Sequence, residues 1–305
     1  GRFEQLEIKP AITSIGIDGE KTDLVYKNSK PEIELFKGLW FATSEHHYRS
    51  NIIDASIIDV SQEHTALGRL VTARAEGRGK VILSGPSTSS WLKRWTNSIL
   101  EANADIVLID GALSRLSPAS PTVSDAMILN TGANLSADLK TLIKLTKHVV
   151  NLINIEVFES PASESLQDIC IGVWLVDDKG KIQDTGIQSP LLIEKQKSSL
   201  LNNSSTIFAS GVITDKLLDF LRIQKQAKEI CLVCADFTKL FISPQSYYAY
   251  IKSGAKIRVL NRTKLIAICV NPVSVSGFKY DSAELCSAIQ AAVGIPVYDI
   301  KNISS

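Results

Sequence analysis

Short aliphatic runs alternate along this chain with stretches whose apolar residues recur every three or four positions. AITSIGI (11–17), GLWFAT (38–43), KVILSG (80–85), DIVLID (105–110) and AMILNTG (126–132) are brief, aliphatic and bounded by polar or glycine-containing segments, so they read as strands. TALGRLVTARAEG (65–77) sets Leu67, Leu70, Val71 and Ala75 at helical spacing and stops at Gly77 and Gly79, which predicts a helix. SSWLKRWTNSILEANA (89–104) predicts a second helix, with Leu92, Trp95, Ile99 and Leu100 on one face and Ser89 or Ser90 as its cap. LSADLKTLIKLTKHVVNLI (135–153) predicts a third, with Leu135, Leu139, Leu142 and Ile143 in register and Ser136 as cap. Strands aliphatic throughout, alternating with helices, imply a mostly parallel sheet covered on both faces.

The second half has a different texture. ICIGVWLVDDKGKIQ (169–183) reads as a hairpin turning at Asp178-Lys179-Gly180. Strands at STIFASG (205–211), EICLVCAD (229–236), IRVLN and KLIAICVNP alternate with helices. Those helices are TDKLLDFLRIQ (214–224, capped by Thr214), SPQSYYAYIKSGA (243–255, Pro244 at its first position) and DSAELCSAIQAAVG (281–294, an Asp-x-x-Glu start and Gly294 as its stop). ESPASES (159–165) has the composition of a linker, so the expected division is residues 1–160 and 161–305, the second, smaller domain also α/β.

Composition narrows the function classes. The chain of 305 residues is 45% hydrophobic and 21% charged, with 33 Lys plus Arg against 32 Asp plus Glu. A net charge of +1 argues against a nucleic-acid partner, and no apolar run is long enough to cross a bilayer. With no legible secretion signal, the cytoplasm is the expected compartment. Five cysteines, an odd number, sit mostly in aliphatic surroundings and read as buried hydrophobes. Cys231 and Cys234 form a CxxC, but in a strand their side chains point to opposite faces, which suits neither a metal nor a disulfide. His46 and His47 are adjacent, a poor chelate, and read as a solvated surface pair.

Ligands of α/β sheets bind beyond the carboxyl ends of the strands. Asp110 and Gly111 end one strand. Ser84-Gly85-Pro86-Ser87-Thr88 ends another and runs into a helix N-terminus, where free amide groups favour an anion such as phosphate. Asp18, Asn130 and Thr131 fall at further strand ends. An acid beside a phosphate suits magnesium, held through water. The competing reading makes Asp110 a turn residue and Ser87 and Thr88 helix caps. Arg115, just beyond Asp110, reads as a surface arginine or a phosphate partner. Asp236, Thr238 and Lys239 sit at a strand end of the second half. GIDGEKT (16–22) has its glycines too close for a P-loop, and GxGxxG, GxSxG and HExxH are missing.

Several phrases together resemble a known family. They are TSIGIDGE (13–20), KPEI (30–33), TALGRLVTARA (65–75), LSGPSTSS (83–90), IDGALSRLSPASPTVSDAMILNTGANLS (109–136) and CVNPVSVSGFKYD (269–281). In this collinear order they are similar to the reactivase B subunits (KamB-type) associated with lysine 5,6-aminomutase, an adenosylcobalamin- and pyridoxal-phosphate-dependent enzyme. The resemblance implies a P-loop NTPase type of fold. It implies an accessory protein that uses ATP and Mg to restore an aminomutase stalled by damaged cobalamin, together with a second, MutS-like reactivase subunit. It makes Asp18 and Asp110 the magnesium-side acids, with Gly111 allowing close approach. The family's P-loop precedes a helix that leads into TSIG. RFEQLEIKP reads as the end of that helix, so residues 1–305 by themselves are not expected to hydrolyse ATP. The Asp110-Gly111-Ala112 turn is also similar to that of dethiobiotin synthetase-like ligases, one alternative. A non-catalytic interaction protein with a vestigial nucleotide site is the other.

Overall fold

The computed structural model describes residues 2–15, 32–50, 53–111, 117–195, 205–224 and 227–302. Contacts divide the chain into two compact units, Gly1–Val123 and Ser124–Ser305. The division precedes the segment 127–153, which the sequence pattern groups with the first domain. The presumed linker is built into a core instead: Ala162 and Leu166 are buried against Val176, Phe208 and Val233.

The first unit contains α1 (Arg2–Gln5), β1 (Pro10–Ser14), β2 (Ile33–Leu35), β3 (Trp40–Ser44), α2 (Glu45–Ser50), β4 (Ala55–Thr65), β5 (Gly68–Ala75), β6 (Gly79–Val81), α3 (Ser89–Glu101) and β7 (Ile106–Asp110). Its five-stranded sheet runs β4-β5-β3-β1-β7 and is mixed: β3, β1 and β7 are parallel, whereas β5 lies antiparallel to both β3 and β4. The expectation of a mostly parallel sheet is therefore corrected here. The cause is the segment predicted as a helix from Thr65: it closes β4, turns at 66–67 and runs on as the strand β5, Gly68–Ala75. Leu70, Val71, Thr72, Ala73 and Ala75 are all buried. A strand buried on both faces loses the alternating pattern that would have marked it.

KVILSG is likewise only partly a strand. Residues 79–81 pair with β2 in a separate ribbon, and 82–88 are irregular. The ribbon contributes to one face of the sheet, where Leu35 and Val81 pack on Phe41, Val71 and Ala73. Helix α3 covers the other face with Trp91, Leu92, Trp95 and Ile99 against Ala11, Ala42 and Leu70. Its cap is Thr88, whose Oγ1 accepts the Trp91 N–H at 3.2 Å, one residue ahead of the expected serines. Leu100, expected on the inner face, is exposed, and Trp91 takes that role.

The second unit contains β8 (Met127–Gly132), α4 (Leu139–Ile153), α5 (Ser163–Gln167), β9 (Val173–Val176), β10 (Ile182–Ile187), β11 (Thr206–Ala209), β12 (Ile213–Thr214), α6 (Asp215–Arg222), β13 (Cys231–Cys234), β14 (Leu240–Phe241), α7 (Pro244–Lys252), β15 (Lys256–Val259), β16 (Leu265–Asn271), α8 (Ser282–Val293) and β17 (Val297–Tyr298). One sheet runs β10-β9-β11-β13-β15, with β11, β13 and β15 parallel and the β9–β10 hairpin antiparallel. A three-stranded sheet, β17-β16-β8, is all parallel. Leu142 and Val150 of α4 and Leu285 and Ile289 of α8 bury it against Ile268 and Val270. The α4 cap is Asp138 rather than Ser136, and Leu135 is exposed. The expected start of α7 and stop of α8 hold: Pro244 is the first residue of α7, behind its N-cap Ser243, and Gly294, at φ 71°, ends α8.

Candidate functional site

The three parallel strands of the first unit end at Ser44, Ser14 and Asp110, and Ser14 and Asp110 are register partners. The irregular segment 82–88 lies over the end of β1. The Gly85 N–H donates to Ser14 Oγ at 3.1 Å, and Thr43 Oγ1 donates to the Ile82 carbonyl at 2.7 Å. A Cβ on Gly85 would fall 1.7 Å from the Ser14 carbonyl oxygen and 2.7 Å from Thr13 Oγ1, so only glycine lets the two backbones approach.

At the end of β3 the chain turns straight into α2. Ser44 Oγ accepts the His47 N–H at 3.3 Å, and the His47 ring comes back to hydrogen-bond Ser84 Oγ through Nδ1. Thr13, Thr43 and Ser44 are 0% exposed, Ser84 1% and His47 9%. The expectation of a solvated histidine pair thus fails for His47, because Ser84 gives its buried imidazole a partner. His46 remains exposed. Sequence reasoning missed this pair, because nothing local joins residues so far apart. The one available signal was Ser84 placed just before the Gly85-Pro86 break.

Above the buried layer lie exposed groups. Ser87 and Thr88 are at the surface, with the Thr88 hydroxyl used as the α3 cap. Asp110 is exposed at the end of β7, and so is Gly111. Among the described residues, no atom lies within 4 Å of a Cβ added to Gly111. The close approach between protein backbones at this sheet end is made by Gly85, and Gly111 faces open space. Asp110, Ser87 and Thr88 share one end of one sheet. Asp18, Arg115 and the GIDGEKT segment lie outside the described residues. The arrangement is rich in donors: hydroxyls, the Gly85 amide, and the first turn of a thirteen-residue helix whose leading amides have no partner within the helix. Such a surface suits an anion.

Other expected positions resolve as structure. Asp236 is buried, and its Oδ1 accepts the Thr238 N–H at 2.8 Å and the Thr238 hydroxyl at 2.5 Å, the chemistry of a cap. Asn130 and Thr131 lie within β8, where Thr131 Oγ1 shares a hydrogen bond with Thr146 of α4 at 2.9 Å. Burial pushes the Cys231 and Cys234 thiols up, so neither is poised as a nucleophile. Among the described residues, no group of three or more His, Cys, Asp or Glu is placed to hold a metal, and no helix is long and apolar enough to cross a membrane. A groove along α8, lined by Ala283, Cys286, Ser287, Gln290 and Ala291, has no charged side chain in its lining.

Comparison of the chain with protein-family models, curated proteins and solved structures gives no match.

Proposed function

We propose that this chain is an accessory reactivation factor for an adenosylcobalamin-dependent aminomutase of the lysine 5,6-aminomutase type, with Mg·ATP handled at the strand ends of its first unit. The observation that carries the reading is the coincidence of the family-like phrase LSGPSTSS and of Ile109-Asp110-Gly111 with one sheet end, where Asp110 partners Ser14 and the Gly85 loop leads into α3. Asp110, beside Ser87 and Thr88, meets magnesium through water. Gly111 leaves open space at that position.

The finer fold reading, a P-loop NTPase type of sheet, draws support from β7. Among the described residues this strand ends its sheet, and Ile106 and Leu108 are 37% and 40% exposed on it. An aliphatic strand with an open edge accepts another strand. A strand bearing a phosphate loop along that edge would bring its loop to Asp110. ATP then biases the factor between two states by binding one of them more tightly than ADP does, and the aminomutase releases its damaged cofactor in one state.

The test is Mg·ATP binding and ATP turnover by the full-length protein, with and without the aminomutase and the MutS-like subunit. Turnover is expected with both partners present. Asp110→Ala should weaken Mg·ATP at least about tenfold, or about 1.4 kcal/mol. Unchanged affinity in that variant removes Asp110 from the site. One observation favours a non-catalytic interaction protein instead: Ser14 Oγ already holds the Gly85 N–H, Ser84 holds His47, and Thr88 caps α3. That reading gains if the full-length protein binds the MutS-like subunit but shows no nucleotide binding.

A further inference from the structure

Helix α4 of the second unit has two contact faces. One is aliphatic and buries the three-stranded sheet. The other presents His148 and Asn151, with the C-cap Asn154 beyond them, to the elements around the five-stranded sheet. His148 Nε2 lies 2.9 Å from the Ile242 carbonyl oxygen, in the short link between β14 and α7. Asn151 Nδ2 donates to Tyr248 Oη at 3.0 Å, and Arg262 donates to Asn154 Oδ1 at 2.8 Å. Of the three α4 residues only His148 is buried, at 5% exposure, with its ring edge-on to Tyr247 at 5.6 Å.

A carbonyl oxygen can only accept, so Nε2 carries the hydrogen and Nδ1 is a bare lone pair. Nδ1 is buried and has no hydrogen-bond partner among the described residues. Adding a proton there makes a cation and a second donor with nothing to receive it. The groups facing the ring do not relieve this. Asp215 at the start of α6 favours the charged form, but its Oδ1 already accepts the Ser243 N–H at 2.7 Å. Tyr247 of α7 has its own hydroxyl pKa raised by burial. Lys144, one turn earlier on α4, is exposed. Burial outweighs the Ile242 and Asp215 contributions and holds the imidazole below its ordinary value.

We propose that His148 is a proton-operated latch: neutral, it fastens α4 to the β14–α7 corner, and protonated, it lets that contact open. The sign follows from linkage. The closed state binds its proton less readily than the open state, whose imidazole titrates near 6.5. The latch is therefore fully closed above that pH, and each pH unit below it moves the balance toward the open form by up to about tenfold, until the closed state also protonates. Asn151 and Asn154 contacts, at less buried positions, add little hold. The inference is independent of any nucleotide.

The experiment is an imidazole nitrogen NMR titration of the whole chain from pH 7.5 to 5, with amide hydrogen exchange on the same samples. At pH 7.5 His148 should be the Nε2–H tautomer. As His148 protonates, exchange of the second half of α4 and of α7 should rise beyond the intrinsic pH effect, by up to about tenfold for each pH unit over which only the open state holds the proton. His148→Gln, whose amide can donate to Ile242 but does not titrate, should show no such rise. The proposal is overturned if His148 takes up its proton with no change in exchange. It is equally overturned if the glutamine variant follows the wild-type pH response. The wild-type titration decides the matter even where the variant does not fold.

Discussion

Both units carry serine, threonine or asparagine at the ends of some parallel strands, Ser14 and Ser44 in the first and Thr131 and Asn271 in the second, and they use them differently. In the first unit the side chains at the ends of β1 and β3 are buried beneath a loop, and the exposed layer above is Asp110, Ser87 and the opening of α3. In the second, the polar groups beyond β8 and β16 fasten two loops together. Asn134 Oδ1 accepts the Val275 N–H at 2.8 Å, Tyr280 Oη donates to the Ser136 carbonyl at 3.0 Å, and Ser274 Oγ accepts the Phe278 N–H at 3.0 Å. Leu135, Val273, Val275 and Phe278 are exposed there, beside Asn134, Asn271, Ser276 and Lys279. The difference lies in how the loops use the strand-end groups, as a buried layer under the Gly85 loop in the first unit and as ties between loops in the second, which a count of hydroxyl residues does not reveal.

The hardest test of this contrast is backbone approach. Gly85→Ala should cost about 3 kcal/mol or more, because its Cβ meets a carbonyl oxygen at 1.7 Å and no flexible side chain can yield there. Gly132→Ala, placing a Cβ 2.1 Å from the Asn271 carbonyl oxygen, should cost as much at the other strand end. Gly111→Ala should stay within about 0.5 kcal/mol of the parent. Urea unfolding of the three variants measures this. A Gly85→Ala protein as stable as the parent would remove the loop from the end of β1.

How much of this was legible depended on locality. The start of α7 at Pro244 and the start and stop of α8 at Asp281 and Gly294 lie within the segments they govern and are legible directly. The Asp177–Lys181 turn is also local: the Lys179 and Lys181 amides both donate to Asp177 Oδ1. β5 was misread because Leu67, Leu70, Val71 and Ala75 satisfy helical spacing, while burial on both faces removed the two-residue alternation. The pairing of β6 with β2 could not be read at all, since it depends on residues in distant segments. At the site, Ser84–Thr88 and Asp110 were visible as polar ends of apolar runs. The backbone approach at Gly85 was not legible, because it depends on Ser14, which lies across the gap in a distant segment.

A smaller effect separates the two ends by burial of their hydrogen bonds. Ser84→Ala should cost about 1–3 kcal/mol, since it strips a buried imidazole of one partner. Asn134→Ala should cost less than about 1 kcal/mol, because the Val275 amide it leaves can turn to water. Thermal melts of the two variants give the order. Equal losses would mean that His47 and Ser84 are no more sheltered than the surface loops.

The smallest difference lies in the caps. Helix α3 is capped by the Thr88 hydroxyl, which does not titrate, and α4 by the Asp138 carboxylate. Thr141 donates both its amide and its hydroxyl to Asp138 Oδ2, at 2.9 and 2.6 Å, and these bonds hold the Asp138 carboxyl below its ordinary value of 3.8. A depressed carboxylate stabilises the folded form above its unfolded pKa and loses that contribution as the pH falls through the folded one. Amide exchange in the first turn of α4 should therefore rise as the pH drops below about 4, after correction for the intrinsic rate, while the first turn of α3 shows no matching change. Asp138→Asn keeps an oxygen acceptor that cannot titrate, so it should flatten the response of α4 and leave α3 alone. A response that persists in Asp138→Asn would trace the acid sensitivity of this turn to some group other than its cap.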